Sequence, residues 1–151
     1  MRSVHAVHTF ATAVHEAERC WYDTSRWPSW VDGLDRVLET RDPWPMVGGG
    51  VIWESGPAGR GQVTETVVAY ARADGQTVEV SDDAMSARQT VSFAAVPAGV
   101  EVTLRLEYRL ARRSPVTPII DVLFIRREMS LSLSRSLARF GARLTPDGSP
   151  H

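Results

Sequence analysis

The 151 residues of the chain fit one domain, and the 43% apolar and 23% charged residues are typical of a globular protein with a substantial core. A net charge of −1 gives no overall attraction to nucleic acid or to an acidic membrane surface. The single cysteine, Cys20, excludes an internal disulfide and gives no support for an oxidising compartment. We find no signal-peptide pattern and no apolar run long enough to span a bilayer, so we expect a cytoplasmic protein without integral membrane association.

The first part of the chain predicts a strand followed by two short helices. Val4 to Phe10 has the pattern of a strand, and Thr12 is placed to cap a helix from about Ala13 to Tyr22. The next segment, Asp23-Thr24-Ser25-Arg26-Trp27-Pro28-Ser29-Trp30, has two tryptophans three residues apart around a proline that suits a first helical turn. We therefore predict a second helix from about Pro28 to Leu34, with both tryptophan rings in the interior as structural residues.

The middle of the chain predicts six strands joined by short turns. They are expected at about Asp35–Arg41, Val51–Glu54, Gly61–Arg72, Thr77–Ser81, Ala87–Ala95 and Val100–Leu110. In the last of these strands the even-numbered residues are apolar and most odd-numbered ones are charged, which predicts one buried and one exposed face. The run Gly48-Gly49-Gly50 is interpreted as a turn or bulge, because a phosphate-binding loop would be followed by a lysine and a helix.

A long helix is predicted from Ser114 to about Arg143. Residues spaced by four and three form one stripe along it, which is apolar except for a single charge at Arg126. The apolar residues of the stripe are Val122, Met129, Leu133, Leu137, Phe140 and Leu144. Gly141 or Leu144 marks its end. We expect one domain over residues 1–145 and a disordered tail over residues 146–151. A bent antiparallel sheet covered by such a helix tends to leave a cavity between the two.

In this order of elements the chain resembles the START / Bet v 1-like (SRPBCC) superfamily, and within it the branch of polyketide cyclases, dehydrases and lipid-transport proteins. The resemblance rests on the segment from Asp23 to Trp30, on the strand pattern Val100-Glu101-Val102-Thr103-Leu104, and on the helix stripe with Met129, Leu133 and Leu137. It implies an α+β helix-grip fold, in which a curved antiparallel sheet wraps around a long C-terminal helix. The superfamily includes carriers, cyclases, hydroxylase domains and regulators, so the resemblance specifies a fold better than a function.

Arg126 is the sharpest candidate for a ligand contact, because a charge in an apolar helix stripe is costly unless it has a partner. Its guanidinium could hold a carboxylate, enolate or phenolate through two hydrogen bonds. The more ordinary interpretation, which we favour, is that it extends to solvent or pairs with an internal acid such as Glu65. The strand pattern leaves open whether Glu65 faces the cavity or solvent, and we slightly favour solvent.

Other residues are predicted as polar contacts or walls of the cavity. Gln89 and Tyr108 share their strand faces with apolar residues and are expected to point inward, more often as satisfied core groups than as catalytic ones. The predicted ligand-binding walls are Trp53, Phe93, Leu106 and Met129.

The sequence gives little support for metal or cofactor chemistry. The four histidines form no HExxH pair and have no Cys/His cluster beside them, and they are His5, His8, His15 and His151. The arginines of the last helix are explained by a solvated face more simply than by nucleic acid. We therefore expect neither a metal nor a cofactor nor a nucleic-acid partner.

Three functions remain open. We favour a carrier or sensor that binds a small hydrophobic or aromatic molecule in the cavity, as a monomer or homodimer. The resemblance implies as an alternative an enzyme similar to polyketide cyclases and aromatases, in which Arg126, Tyr108 or Glu65 polarises a carbonyl or moves a proton on a poly-β-keto or aromatic substrate. The third is a protein-interaction module with a vestigial cavity. No catalytic residue can be assigned from the sequence.

Overall fold

The computed structural model describes residues 2–56, 61–82, 85–110 and 119–144, with the backbone alone at positions 85, 110 and 119–128. This part forms seven strands and three α-helices: β1 (Arg2–Phe10), α1 (Val14–Tyr22), α2 (Trp27–Trp30), β2 (Leu34–Arg41), β3 (Gly50–Ser55), β4 (Gln62–Ala71), β5 (Gly75–Ser81), β6 (Met85–Val96), β7 (Gly99–Leu110) and α3 (Ile119–Leu144). The predicted helix start at Ser114 and the predicted tail at residues 146–151 lie outside the described residues.

The strands form one antiparallel sheet in the order β1-β7-β6-β5-β4-β3-β2. From β2 to β7, strands that follow each other in the chain are paired, whereas β1 pairs with β7, from Arg2 opposite Tyr108 to Phe10 opposite Val100. Irregularities of register in β2 and between Val67 and Ala69 in β4 are of the bulge type that bends a strand. The curved sheet wraps around α3, and the predicted α+β helix-grip fold is confirmed.

The register predicted for β7 is confirmed. Arg105 and Arg109 are exposed on its outer face. The even-numbered side chains that the structure describes are all buried, and they are Val100, Val102, Leu104, Leu106 and Tyr108. Strict alternation over this length places one whole face of the strand in the core, because successive side chains in a strand point to opposite sides.

Aromatic rings from all three helices form the core at one end of the sheet. The ring of Trp30 lies at the centre, with its centroid 4.6 Å from that of Trp21, 6.4 Å from Trp27 and 5.0 Å from Phe140. These separations, and the tilted and edge-on orientations, are typical of favourable aromatic pairs. Trp27 and Trp30 are both buried, as predicted, and the indole N–H of Trp27 donates to the backbone oxygen of Trp21 at 2.8 Å.

The predicted start of α1 differs from the structure, and one of the two predicted ends of α3 is confirmed. Thr12 does not cap α1, because the chain turns there and the N–H of Thr12 donates to Phe10; the N-cap is Ala13, which makes no side-chain capping bond. Of the two alternative ends predicted for α3, Gly141 is wrong and Leu144 is confirmed. A Cβ atom at Gly141 would lie 2.6 Å from Cε1 of the Phe10 ring. The glycine therefore allows close packing of α3 against β1 rather than a turn.

The helix predicted from Pro28 to Leu34 begins earlier in the structure and is shorter, from Trp27 to Trp30. A 3-10 turn at Thr24–Arg26 leads directly into α2, whose last residue is Trp30. Val31 has extended backbone angles, and Leu34 is already the first residue of β2. Three residues connect the helix to the strand, and the last of them, Gly33, has a φ of +81°, which a right-handed helix does not allow.

Gly99, at the turn between β6 and β7, lies where a side chain has no space. Its φ is +140°, and a Cβ atom there would overlap the backbone oxygen of Phe10. We expect Gly99→Ala to lower the free energy of unfolding by about 2–5 kcal/mol, because backbone strain and overlap with the main chain of β1 act together. Chemical denaturation followed by circular dichroism measures this loss.

Gly33→Ala is the matched control. Gly33 also has a positive φ, +81°, but no described atom lies within 4 Å of its Cβ position. This variant adds left-handed strain without overlap and is expected to cost about 1–2 kcal/mol. Equal losses in the two variants would show that contact with β1 contributes nothing at Gly99.

Candidate functional site

A cavity of about 110 Å³ lies between the inner face of the sheet and the helices. Four tryptophan rings contribute to its wall, and they are Trp21, Trp27, Trp30 and Trp53. Aliphatic side chains from the sheet and from α3 complete the apolar part, among them Leu104, Leu106, Met129 and Leu133. A concave, mostly apolar wall with a few polar groups is typical of sites for small hydrophobic molecules.

Glu65 faces this cavity. It lies on the inner face of β4 between Val63 and Val67, and it is 7% exposed. One oxygen of its carboxyl group accepts a hydrogen bond from the indole N–H of Trp53 at 2.8 Å. The preference for a solvated Glu65 is therefore wrong. A register shift between Val67 and Ala69 interrupts the alternation, so that Ala69 is exposed although it is four residues from Glu65.

Five of the eight predicted contact residues line the cavity, and they are Trp53, Glu65, Gln89, Leu106 and Met129. Gln89 lies on β6 directly opposite Leu106 of β7 and is half-buried. The structure thus brings two of the three predicted polar strand residues, Gln89 and Glu65, to one space. Their role in binding a ligand stays a prediction.

The other three predicted residues have different positions. Phe93 is buried in the aromatic core, where its ring centroid lies 6.1 Å from those of Trp21 and Tyr22, and it is not among the described lining residues. Tyr108 is also buried away from the described cavity wall, and its hydroxyl has no hydrogen-bond partner among the described residues. The side chain of Arg126 lies outside the described part of α3, so its role as an anchor stays a prediction.

A polar cluster that the sequence did not predict borders the cavity. Asp32, in the loop between α2 and β2, accepts hydrogen bonds from the Ser132 hydroxyl at 2.8 Å, from Arg135 through two nitrogens at 3.2 Å, and from Arg139 at 3.3 Å. The backbone N–H of Asp32 donates to the hydroxyl of Ser136 at 2.8 Å. Asp32, Ser132 and Ser136 all line the cavity, so this loop and α3 together form part of its wall.

The carboxyl group of Asp32 is negatively charged at neutral pH. Burial tends to raise the pKa of Asp32, but hydrogen bonds from Arg135 and Ser132 and the positive charges of Arg135 and Arg139 outweigh burial and lower the pKa. The charged carboxylate that binds the arginines is therefore the form present under ordinary conditions. The spacing of the two serines and two arginines along one side of α3 is the signal that the sequence offered for this cluster.

Other groups in the described residues give no second site. No three side chains among His, Cys, Asp and Glu are placed together to hold a metal ion within the described ranges. Burial raises the pKa of the Cys20 thiol although Arg26 opposes the shift, and Cys20 is buried in α1. None of the helices in these ranges is long and apolar enough to cross a membrane.

Comparison with known families decides the assignment. The family described as polyketide cyclase / dehydrase and lipid transport matches residues 1–145. The chain belongs to this family. The match covers every described element from β1 to α3, and it agrees with the resemblance noted from the segment around Trp27 and Trp30. Among curated proteins, no sequence matches the chain significantly.

Solved structures share the fold of this family member at low sequence identity. A protein from Chromobacterium violaceum aligns with a TM-score of 0.72 and 16% identity over 97% of this chain and 100% of its own. A START superfamily protein from Mycobacterium smegmatis aligns with a TM-score of 0.74 and 11% identity over 94% of this chain and 96% of its own. The di-domain ARO/CYC StfQ from the steffimycin biosynthetic pathway aligns with a TM-score of 0.77 and 15% identity over 97% of this chain and 51% of StfQ. Identities in this range show a common fold.

Proposed function

We propose that this member of the polyketide cyclase / dehydrase and lipid transport family binds a small hydrophobic or aromatic molecule in the cavity, as a carrier or sensor. The observation that carries the proposal is the wall of four tryptophan rings around a space of about 110 Å³. Removing an aromatic ligand from water into such a wall is favourable by about 25 cal/mol for each Å² of apolar surface buried. An apolar cavity of roughly 150 Å³ binds benzene, so a space of about 110 Å³ favours a ligand with a single ring over a larger one.

The polar groups of the wall support orientation of such a ligand. Gln89 and Glu65 approach from the sheet, and Asp32 with two serines approaches from the loop and α3. A ligand with an apolar body and a polar substituent satisfies both kinds of wall. An anchoring role of Arg126 for an acidic substituent stays a hypothesis from the sequence, beside the favoured interpretation that Arg126 extends to solvent or pairs with an internal acid.

Filling the cavity tests this proposal. Leu133 lines the cavity from α3, and Leu133→Phe would place additional ring atoms there. We expect the affinity for a one-ring probe such as acetophenone to fall by about tenfold or more, because the probe would have to displace the new ring at the 1–3 kcal/mol cost of overpacking. Isothermal titration calorimetry on the full chain measures the affinity.

Leu131→Phe is the matched control, since Leu131 lies on the same helix and is exposed. This variant should bind the probe as the unchanged chain does. Equal affinity in both variants would contradict binding in the cavity. Native mass spectrometry of protein purified from its own host then identifies the physiological ligand as an added mass.

The position of Glu65 favours a cyclase-like enzyme as the second candidate. A carboxylate in an apolar cavity is suited to take a proton from the carbon next to a ligand carbonyl. StfQ, whose fold is similar, is described as an ARO/CYC of a biosynthetic pathway. A poly-β-keto chain is large for a space of about 110 Å³, however, and the carrier or sensor has the better support.

A further inference from the structure

We propose that the indole N–H of Trp30 selects the ligand by donating a hydrogen bond to a neutral acceptor oxygen, such as a ketone carbonyl, on a one-ring aromatic molecule. This inference rests on the proposed binding function and adds the chemistry of the ligand. It makes Trp30 a specificity-determining residue as well as a core residue.

The indole nitrogen of Trp30 is the observation from which the inference starts. Trp30 is 2% exposed and lines the cavity, and its Nε1 has no hydrogen-bond partner among the described residues. Three other tryptophans do have acceptors: Trp27 donates to Trp21, Trp44 to Tyr22, and Trp53 to Glu65, at 2.8 to 2.9 Å. A buried donor without an acceptor is unfavourable and uncommon in native proteins. An acceptor that enters with a ligand accounts for it.

The ring of Trp30 is held in place by its neighbours. Trp21, Trp27 and Phe140 pack on it with centroid separations of 4.6, 6.4 and 5.0 Å. Since these rings come from three different helices, the indole has little freedom to turn its N–H towards another acceptor. The donor is therefore preorganised, which reduces the entropy lost when a ligand accepts from it.

The charges around the cavity favour a neutral acceptor over an anionic one. Two acidic residues, Asp32 and Glu65, line the same space as Trp30. The arginines nearest to Asp32, Arg135 and Arg139, already bind its carboxylate. An anionic ligand would have to compete with the Asp32 carboxylate for these two arginines, whereas a ketone oxygen accepts from the neutral N–H of Trp30 without that competition.

Three probes of similar size separate these possibilities. Acetophenone has a carbonyl oxygen, cumene has a methyl group in its place, and benzoate is the anionic analogue. Binding of each to the full chain is measured by isothermal titration calorimetry near pH 7. Because cumene is the more hydrophobic molecule, the informative quantity is the ratio of the acetophenone and cumene affinities, compared between variants.

In Trp30→Phe, which keeps an aromatic ring but lacks the N–H, we expect this ratio to fall by about three- to tenfold, the scale of one neutral hydrogen bond. Trp44→Phe is the matched control: it also removes an indole N–H, but that N–H donates to Tyr22 and Trp44 is not among the described lining residues, so the ratio should not change. Benzoate should bind the unchanged chain more weakly than acetophenone does.

A measurement on the unchanged chain covers the case in which Trp30→Phe does not fold. With the indole nitrogens labelled with ¹⁵N, the NMR signal of the Trp30 N–H proton should shift downfield on addition of acetophenone and not on addition of cumene. Trp→Phe variants at the other four tryptophans assign the signals.

Three results would each overturn this inference and leave the binding function standing: an unchanged acetophenone-to-cumene ratio in Trp30→Phe, a Trp30 signal that does not shift with acetophenone, or tighter binding of benzoate than of acetophenone. Failure of all three probes to bind overturns both.

Discussion

Trp30→Ala is expected to lower the free energy of unfolding by about 3–5 kcal/mol, the range for removal of a buried aromatic side chain. The ring contacts Trp21, Trp27 and Phe140, so its loss leaves a space at the point where all three helices meet. The helix that carries it, α2, has only four residues and depends on this packing rather than on its own hydrogen bonds. Guanidinium denaturation followed by far-ultraviolet circular dichroism gives the difference.

Trp30→Phe and Met46→Ala are the comparisons for this prediction. The phenylalanine keeps most of the ring contacts and should lose less than half as much stability as alanine. Met46 is an exposed apolar residue, and its replacement should change stability by no more than about 0.5 kcal/mol. A Trp30→Ala protein with unchanged stability but without ligand binding would show that the ring is a ligand contact and not part of the core.

Glu65→Gln is expected to slow proton transfer by about 10²- to 10⁴-fold if the cavity is the active site of a cyclase-like enzyme. The amide keeps the size of the side chain and retains an oxygen that can accept from Trp53, so binding of a ketone should stay close to that of the unchanged chain. The exchange of the methyl protons of acetophenone for deuterium, followed by NMR in D₂O, reports removal of a proton next to a carbonyl.

Glu54→Gln is the control for the loss of a carboxylate. Glu54 lies on β3 and binds Arg36 at 3.0 Å in an exposed pair, away from the described cavity wall. The rate at which the Glu54→Gln variant exchanges the methyl protons of acetophenone should equal that of the unchanged chain. A chain that binds acetophenone without accelerating exchange would favour the carrier or sensor, and a Glu65→Gln variant that exchanges at the full rate would exclude Glu65 as the base.

The parts of the fold that local periodicity controls were predictable from the sequence. The alternation along β7 predicted its buried face, and the helical stripe predicted burial of Leu133, Leu137 and Phe140. Both patterns show which face of a strand or helix is buried, and that face is the same whichever element packs against it. The tryptophan pair around Pro28 predicted an aromatic core for the same reason, although the ends of the helix were wrong.

The parts of the site that depend on irregular backbone or distant partners were not predictable. For Glu65 the strand pattern left both faces open, with solvent slightly favoured, because β4 carries apolar residues on both faces and a register shift after Val67 interrupts its alternation. Asp32 lies about 100 residues from its partners in α3, and no local pattern connects a loop aspartate with Ser132 or Arg135. The N–H of Trp30 has no acceptor among the described residues because of where three helices place the ring, and the sequence does not specify that position.

The pairing of β1 with β7 matters while the chain is being synthesised. The two strands lie roughly 100 residues apart, as the pairing of Arg2 with Tyr108 shows. At about 5–20 residues per second, a ribosome needs about 5–20 s to make the intervening chain. During this interval Val4 and Ala6, which are buried in the finished protein, are without their partner strand. The apolar side chains on the inner face of β1 therefore stay unpaired until β7 has been synthesised, and pairing of the two strands buries them.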